Sequence, residues 1–242
     1  TSANEPIDTT VSNYNLTEEE TSGKNQEEIK ALQQQKIDEV TQQAYDMKIA
    51  SNELENWPEG PATYGEAGIV MEAKSGAILY AKNIDGKAYP ASITKIMTVY
   101  LALSQGHPDQ ILTATDTAID NIDRKSSHIW LDYGEELSLK DACYAAIMAS
   151  ANDASNVLAE AIGGSQSEFA EMMNEAAAAA GAKNTHFANA HGLPDEDHYT
   201  TAYDMAMITR MAIQNADFAE IFGTVKYEMQ PTNKQKDVRY FA

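Results

Sequence analysis

The chain has 242 residues, 43% of them hydrophobic, and a formal net charge of −20 from 17 basic and 37 acidic residues. Its size suits one large domain or two small ones. Nucleic-acid binding relies on clustered Lys and Arg, so this composition argues against such a partner, and no run of about 18 apolar residues is present to span a membrane.

Residues 1–60 hold 13 acids and four bases. The remaining acids are spread along the chain, as on a solvated surface. The chain opens on Thr1 with no basic-then-apolar leader, as in a cytosolic protein or an exported one whose signal has been removed. Cys143 is the one cysteine. It lies in an Ala-rich helical stretch and reads as a buried structural thiol.

Residues 1–24 are polar, with three consecutive acids at Glu18, Glu19 and Glu20. They are expected to form a flexible tail. Asn25 and Glu28 fit a capping box. The apolar positions Ile29, Leu32, Ile37, Val40, Ala44 and Met47 then recur at helical spacing, which suits a packed helix or a short coiled coil. Two prolines and two glycines mark residues 53–66 as a linker. The expected organisation is therefore residues 1–60 as tail, amphipathic helix and linker, and residues 61–242 as the globular domain.

Two apolar runs, residues 68–73 and 76–81, flank Lys74-Ser75 and predict a hairpin. From Pro90 the spacing becomes helical, with Ile96, Val99, Tyr100 and Leu103 on one side. Ser138-x-x-Asp141, Ser165-x-x-Glu168 and Thr201-x-x-Asp204 each fit a helix start. Gly181 fits a helix stop. Residues 182–200 hold three of the five histidines and no helical period, so they predict a long ordered loop. A hairpin followed by many helices points to an α+β fold, with an antiparallel sheet packed against a helical region.

Two short motifs carry candidate chemistry. With 14 serines and 14 lysines in 242 residues, one Ser-x-x-Lys is expected by chance, so Ser92-Ile93-Thr94-Lys95 means little by spacing alone. Its context is a helix start after Pro90-Ala91, which puts Ser92 and Lys95 on one face. A serine hydroxyl needs a neighbouring base to become a nucleophile. Lysine can serve if its pKa falls from about 10.4 to near 7–8, at a cost of about 4 kcal/mol. Burial and the positive end of a helix both act in that direction. The second motif, Ser150-Ala151-Asn152, sits on a predicted turn between two helices, where the hydroxyl and the amide can face one cleft. An exposed lysine beside a capping serine, and an ordinary polar turn, explain the same letters.

Taken together in context, these segments resemble the low-molecular-mass penicillin-binding proteins, the serine D-alanyl-D-alanine carboxypeptidases. Residues 90–98, Pro-Ala-Ser-Ile-Thr-Lys-Ile-Met-Thr, look like that family's nucleophile segment. Residues 149–154, Ala-Ser-Ala-Asn-Asp-Ala, look like its second motif. The resemblance runs over residues 67–222 and includes Gly134-Glu135, Ala190-His191-Gly192-Leu193 and residues 198–204. It implies a β-lactamase/transpeptidase-like fold. It also implies an exported enzyme on the outer face of the cell envelope, acting on peptidoglycan stem peptides that end in D-Ala-D-Ala. By residue match, Ser92 is acylated by substrate or β-lactam. Lys95 accepts its proton, Ser150 shuttles a proton to the leaving group, and Asn152 orients the peptide. The Ser92 N–H is one oxyanion donor. No metal or organic cofactor is implied.

The family's third motif, Lys-Thr-Gly or Lys-Ser-Gly after the second, has no counterpart beyond Asn152. Lys74-Ser75-Gly76 has the letters but precedes Ser92 and falls in the predicted hairpin turn. The expectation is a chain lacking its C-terminal sheet strands, completed by a further fragment or a second chain and a poor catalyst by itself. Three other readings compete. A class A β-lactamase would have Asp where Ala151 stands and would need a loop acid such as Glu196. A zinc peptidase would use His186, His191, His198 and Asp195. A non-catalytic penicillin-binding module would need only the fold.

Overall fold

A computed structural model of the chain describes residues 6–10, 14–51, 56–58 and 60–242. They fall into two compact units, one within residues 1–88 and 201–206, the other within residues 89–200 and 207–242. The architecture is α+β, with helices and short antiparallel hairpins.

In the first unit, Thr17 caps the short helix α1 (Glu18–Thr21), and Glu20 returns the bond to the Thr17 N–H. Asn25 and Glu28 form the expected capping box of α2 (Gln26–Asp46). The apolar stripe of α2 is only partly covered: Ala44 is buried, while Ile29, Leu32, Ile37 and Val40 are half-buried. Gln34–Asp38, Gln35–Glu39 and Gln42–Asp46 form hydrogen bonds one turn apart along its exposed face.

The predicted hairpin is present as β1 (Gly68–Met71) and β2 (Ile78–Lys82), with a register shift at Val70/Met71. Lys74-Ser75-Gly76 forms its turn. The Glu72 carboxylate accepts the Lys74 and Ser75 N–H groups, and Gly76 takes a φ of +78° that favours glycine.

Two expectations need correction here. Within the predicted flexible tail, α1 is helical, the Ile7 N–H donates to Asn83 Oδ1 at 2.9 Å, and the Thr9 N–H donates to the Lys87 carbonyl at 2.7 Å. Backbone groups of this polar segment are thus satisfied by the chain just after the hairpin. Within the predicted linker, Trp57 Nε1 donates to the Leu79 carbonyl at 2.8 Å and Lys82 Nζ donates to the Thr63 carbonyl. Residue 60, where the boundary is expected, lies within the stretch assigned to the first unit. Residues 1–5 and 11–13 of the tail, and 53–55 and 59 of the linker, lie outside the described residues.

The second unit begins with a 3-10 turn, Ala91–Thr94, that runs into α3 (Lys95–Gln105). β3 (Ile111–Thr113) pairs with β4 (Glu136–Ser138) in antiparallel register. The helices are α4 (Asp116–Asp120), α5 (Leu139–Met148), α6 (Asn152–Gly163), α7 (Gln166–Ala179) and, after α8 (Ala202–Ala212), whose residues 202–206 belong to the first unit, α9 (Ala216–Phe222). Ser138 and Ser165 cap α5 and α7 as expected. Gly181 follows the end of α7 at φ +84°, and the Ala182 N–H reaches back to the Ala177 carbonyl.

Helix α6 is the centre of this unit. Every residue from Asn152 to Ala159 is buried, and α3, α4, α5 and α7 pack around it. A helix enclosed on all sides needs small side chains, which its Ala and Ser residues supply. The core around it includes Val99, Leu103, Leu139, Tyr144 and Phe218, together with the fully buried Cys143. Burial pushes the Cys143 thiol pKa far up, in keeping with a structural role.

Sequence reasoning missed the hairpin of β5 (Tyr227–Met229) and β6 (Arg239–Phe241). Each strand has only three residues, too few for a period to show. Arg239 holds the hairpin in place through a bidentate bond to the buried Glu135 carboxylate, at 2.8 and 3.1 Å. Tyr227 stacks on Tyr144 with ring centroids 3.6 Å apart.

Candidate active site

Ser92 is exposed on the 3-10 turn, and Lys95, three residues on, is the buried first residue of α3, 2% exposed. Lys95 Nζ lies 3.2 Å from Ser92 Oγ and donates to the His191 carbonyl at 2.7 Å. Burial brings the Lys95 pKa down to about 8, while the Asp153 carboxylate acts in the opposite sense. A lysine that serves as a base near neutral pH needs a fall of about this size. An amine in that state is partly neutral near physiological pH and can take a proton.

Ser150 occupies the turn between α5 and α6 in a left-handed conformation, φ +52°. That conformation aims its Oγ at Ser92 Oγ, to which it donates at 2.8 Å. The Ser92 hydroxyl therefore stands between the Lys95 amine and the Ser150 hydroxyl. Ala91, just before it, is also left-handed at φ +47°. Non-glycine residues with positive φ concentrate where function holds the backbone under strain.

Asn152 opens α6 and is 4% exposed. Its N–H donates to the Ser127 carbonyl at 2.9 Å, and its Nδ2 donates to Ser126 Oγ at 2.8 Å. The next residue, Asp153, accepts from the N–H groups of Ile129 and Leu131 at 3.1–3.2 Å. Residues 126–131 are thus fastened to the first turn of α6.

The loop at 182–200 is fastened to the nucleophile turn. Thr98 Oγ1 donates to the Ala190 carbonyl at 2.6 Å, and Thr94 Oγ1 is 2.8 Å from His198 Nε2. Gly192 sits at φ +88°, and a Cβ added there would lie 1.8 Å from the Ala91 carbonyl oxygen. Only glycine fits this approach. Burial is the main reason that the His191 and His198 pKa values fall to about 4, so both rings are neutral at pH 7.

These segments line a cleft of about 370 Å3, which includes Tyr89, Ser92, Lys125, Ser126, Asn152 and Leu193. All four residues singled out from the sequence come together around it: Ser92 and Asn152 in its wall, Lys95 and Ser150 bonded to Ser92. Of the supporting partners, Ser126, Ser127 and Asp153 were not assigned roles from sequence, and His198 was named there only as a zinc ligand. Their bonds join positions 22 to 104 residues apart, and only the glycine at 192 carried a readable signal.

The rival readings find less support. Glu196 is exposed and does not line the cleft. His186, His191, His198 and Asp195 are not gathered as a metal-binding group among the described residues. Their imidazoles bond elsewhere: His186 Nδ1 to the Asp197 carbonyl, His191 Nδ1 to the Leu193 N–H, and His198 to Thr94 and the Ala188 N–H.

Residues 54–240 match the family model of the S11 peptidases, described as D-alanyl-D-alanine carboxypeptidase. The chain belongs to this family. The D-alanyl-D-alanine carboxypeptidase DacF of Bacillus subtilis is 37% identical over 177 residues, covering 70% of this chain and 44% of that protein. The chain thus spans less than half the length of this curated relative. Among solved structures, the D-alanyl-D-alanine carboxypeptidase DacD from Francisella tularensis superposes with a TM-score of 0.68 at 31% identity, over 78% of this chain and 46% of that one. Penicillin binding protein 6B from Escherichia coli gives a TM-score of 0.68 at 30% identity, over 77% and 62%. The fold is accordingly that of the D,D-peptidases, as the two motifs in context implied.

Proposed function

We propose that the chain carries the acylating half of a serine D-alanyl-D-alanine carboxypeptidase, which removes the terminal D-alanine from peptidoglycan stem peptides at the bacterial cell envelope. One observation carries this reading: Ser92 Oγ lies 3.2 Å from Lys95 Nζ and 2.8 Å from Ser150 Oγ. Neutral Lys95 takes the Ser92 proton as Oγ adds to the carbonyl carbon of the penultimate D-alanine. The Ser92 N–H supplies one oxyanion donor. The proton then passes through the Ser150 hydroxyl to the departing amine, the C–N bond breaks, and an ester to Ser92 remains. Asn152 holds the acyl peptide. Water, deprotonated by Lys95, hydrolyses the ester and releases the shortened peptide. A β-lactam acylates the same Ser92 oxygen as its ring amide bond breaks, and its nitrogen stays attached to the acyl group.

Among the 242 residues, no Lys-Thr-Gly or Lys-Ser-Gly triplet follows Asn152. The second oxyanion donor and the cation for the substrate's terminal carboxylate are therefore not assigned to residues of this chain. The test is intact-mass analysis after exposure to benzylpenicillin. The expected result is one adduct, absent from Ser92→Ala. An adduct retained in that variant overturns the assignment of the nucleophile.

A further inference from the structure

The cleft has an unusual charge for this molecule. The chain carries a net charge of −20, yet no Asp or Glu lines the cleft among the described residues. Lys125 is its one exposed cation among them, since Lys95 is buried against Ser92. Asp123 lies close by and accepts the Lys125 backbone N–H at 2.9 Å, but it is not part of the lining. The neighbouring Arg124 is not part of the lining. The Lys125 ammonium forms no ion pair among the described residues.

The location of Lys125 is fixed. The next residue, Ser126, accepts from Asn152 Nδ2 at 2.8 Å, and Ser127 accepts from the Asn152 N–H at 2.9 Å. Lys125 therefore belongs to the side of the cleft built on Asn152, not to the side built on the loop at 182–200. On the acyl-transfer reading, Asn152 faces the acyl part of the substrate. We propose that Lys125 is a specificity residue for an anionic acyl donor: the cleft favours peptides with a free carboxylate on the side chain preceding D-Ala-D-Ala over those in which that group is neutral or amidated. No acid in the lining itself opposes such a carboxylate, and a flexible ammonium can reach it as a point charge.

This inference rests on the acyl-transfer reading, and a matched pair of penicillins separates the two. Benzylpenicillin and carbenicillin share a nucleus and differ by one carboxylate on the acyl side chain. Their second-order acylation rates at Ser92 would be measured for the protein and for Lys125→Ala, Lys125→Glu and Lys125→Arg. The expected result is a carbenicillin-to-benzylpenicillin rate ratio that falls roughly two- to fivefold in Lys125→Ala, the upper range of an exposed ion pair. It falls further in Lys125→Glu, is kept in Lys125→Arg, and declines with added salt in the unaltered protein. An unchanged ratio in Lys125→Ala, with labelling intact, overturns the inference and leaves the proposed function standing. Equal losses for both penicillins also overturn it, because Lys125 would then hold the nucleus carboxylate they share. No labelling of the unaltered protein by either compound removes the proposed function and this inference with it.

Discussion

Thr94 Oγ1 and His198 Nε2 lie 2.8 Å apart, although 104 residues separate them in sequence. The other ring nitrogen, Nδ1, accepts the Ala188 N–H at 3.0 Å. That acceptor role places the proton of the neutral ring on Nε2, so His198 donates to Thr94. Thr94 precedes Lys95, so a histidine outside both motifs sets the start of α3.

The first prediction concerns acid. Burial lowers the pKa of His198 and of His191 to about 4, below the unfolded value near 6.5. Between those values the unfolded chain binds more protons, so stability is full above about pH 6.5 and falls as the pH drops toward 4. The loss approaches about 3 kcal/mol per ring if protonation does not trigger local opening first. Urea unfolding at pH 7, 5.5 and 4 measures it. His198→Gln, which can still donate to Thr94, should flatten part of the slope. A slope identical in both proteins would exclude His198 as a source.

The second prediction concerns Gly192. In Gly192→Ala the new Cβ meets the Ala91 carbonyl, and the φ of +88° resists any side chain. The expected cost is at least about 2 kcal/mol. Acylation should fall as well, because relief of the clash moves Ala91 and with it Ser92. Thermal melting and penicillin labelling read the two effects, and normal values in both would mean that the loop moves aside freely.

How much of this was legible in the sequence depends on distance along the chain. Helix starts were readable because a cap joins residues three apart, as at Asn25, Ser138 and Ser165. The β1–β2 hairpin was readable for the same local reason. Ser92 and Lys95 lie in one turn, and Ser150 and Asn152 in another, so each pair could be proposed locally. Their meeting could not be derived from spacing and came from the family resemblance. The bonds from Asp153 to Ile129 and Leu131, from Arg239 to Glu135 and from His198 to Thr94 had no local signature. The segment around Ile7 and Thr9 looked like a tail because its partners, Asn83 and Lys87, are polar and distant.

The third prediction concerns Lys95. With a folded pKa of about 8, mainly from burial, its neutral fraction grows as the pH rises through 8. The acylation rate should climb over that range and level off above it. Below pH 8 the folded state also bears the penalty of holding the ammonium out of water, relieved between pH 8 and the unfolded value near 10.4. Lys95→Met should therefore be more stable at pH 7, by about 1–3 kcal/mol, while losing acylation by several orders of magnitude. A less stable, still acylated Lys95→Met variant would contradict both statements.

The fourth prediction concerns Glu135 and Arg239. Burial by itself would raise the Glu135 pKa, but the bonds from Arg239, the Asp132 N–H and Thr232 outweigh it and hold the carboxyl below its usual range. Arg239→Met leaves a carboxylate with a fully buried side chain and no cation, at a cost of about 3–5 kcal/mol. The double variant Arg239→Met, Glu135→Gln should recover much of this. A double-mutant cycle by denaturant unfolding measures the coupling, and additive losses would show that the pair does not interact.

Cys143 is the chain's only sulfhydryl, and it is wholly enclosed in α5. Under native conditions maleimide or iodoacetamide reagents should pass it by. A cysteine introduced at an exposed position such as Lys125 or Trp130 would then take a fluorophore or spin label without removal of the natural one. The molecule is thus already suited to spectroscopy that reports on one chosen place at a time. Slow reaction at Cys143 would in turn time the transient openings of α5.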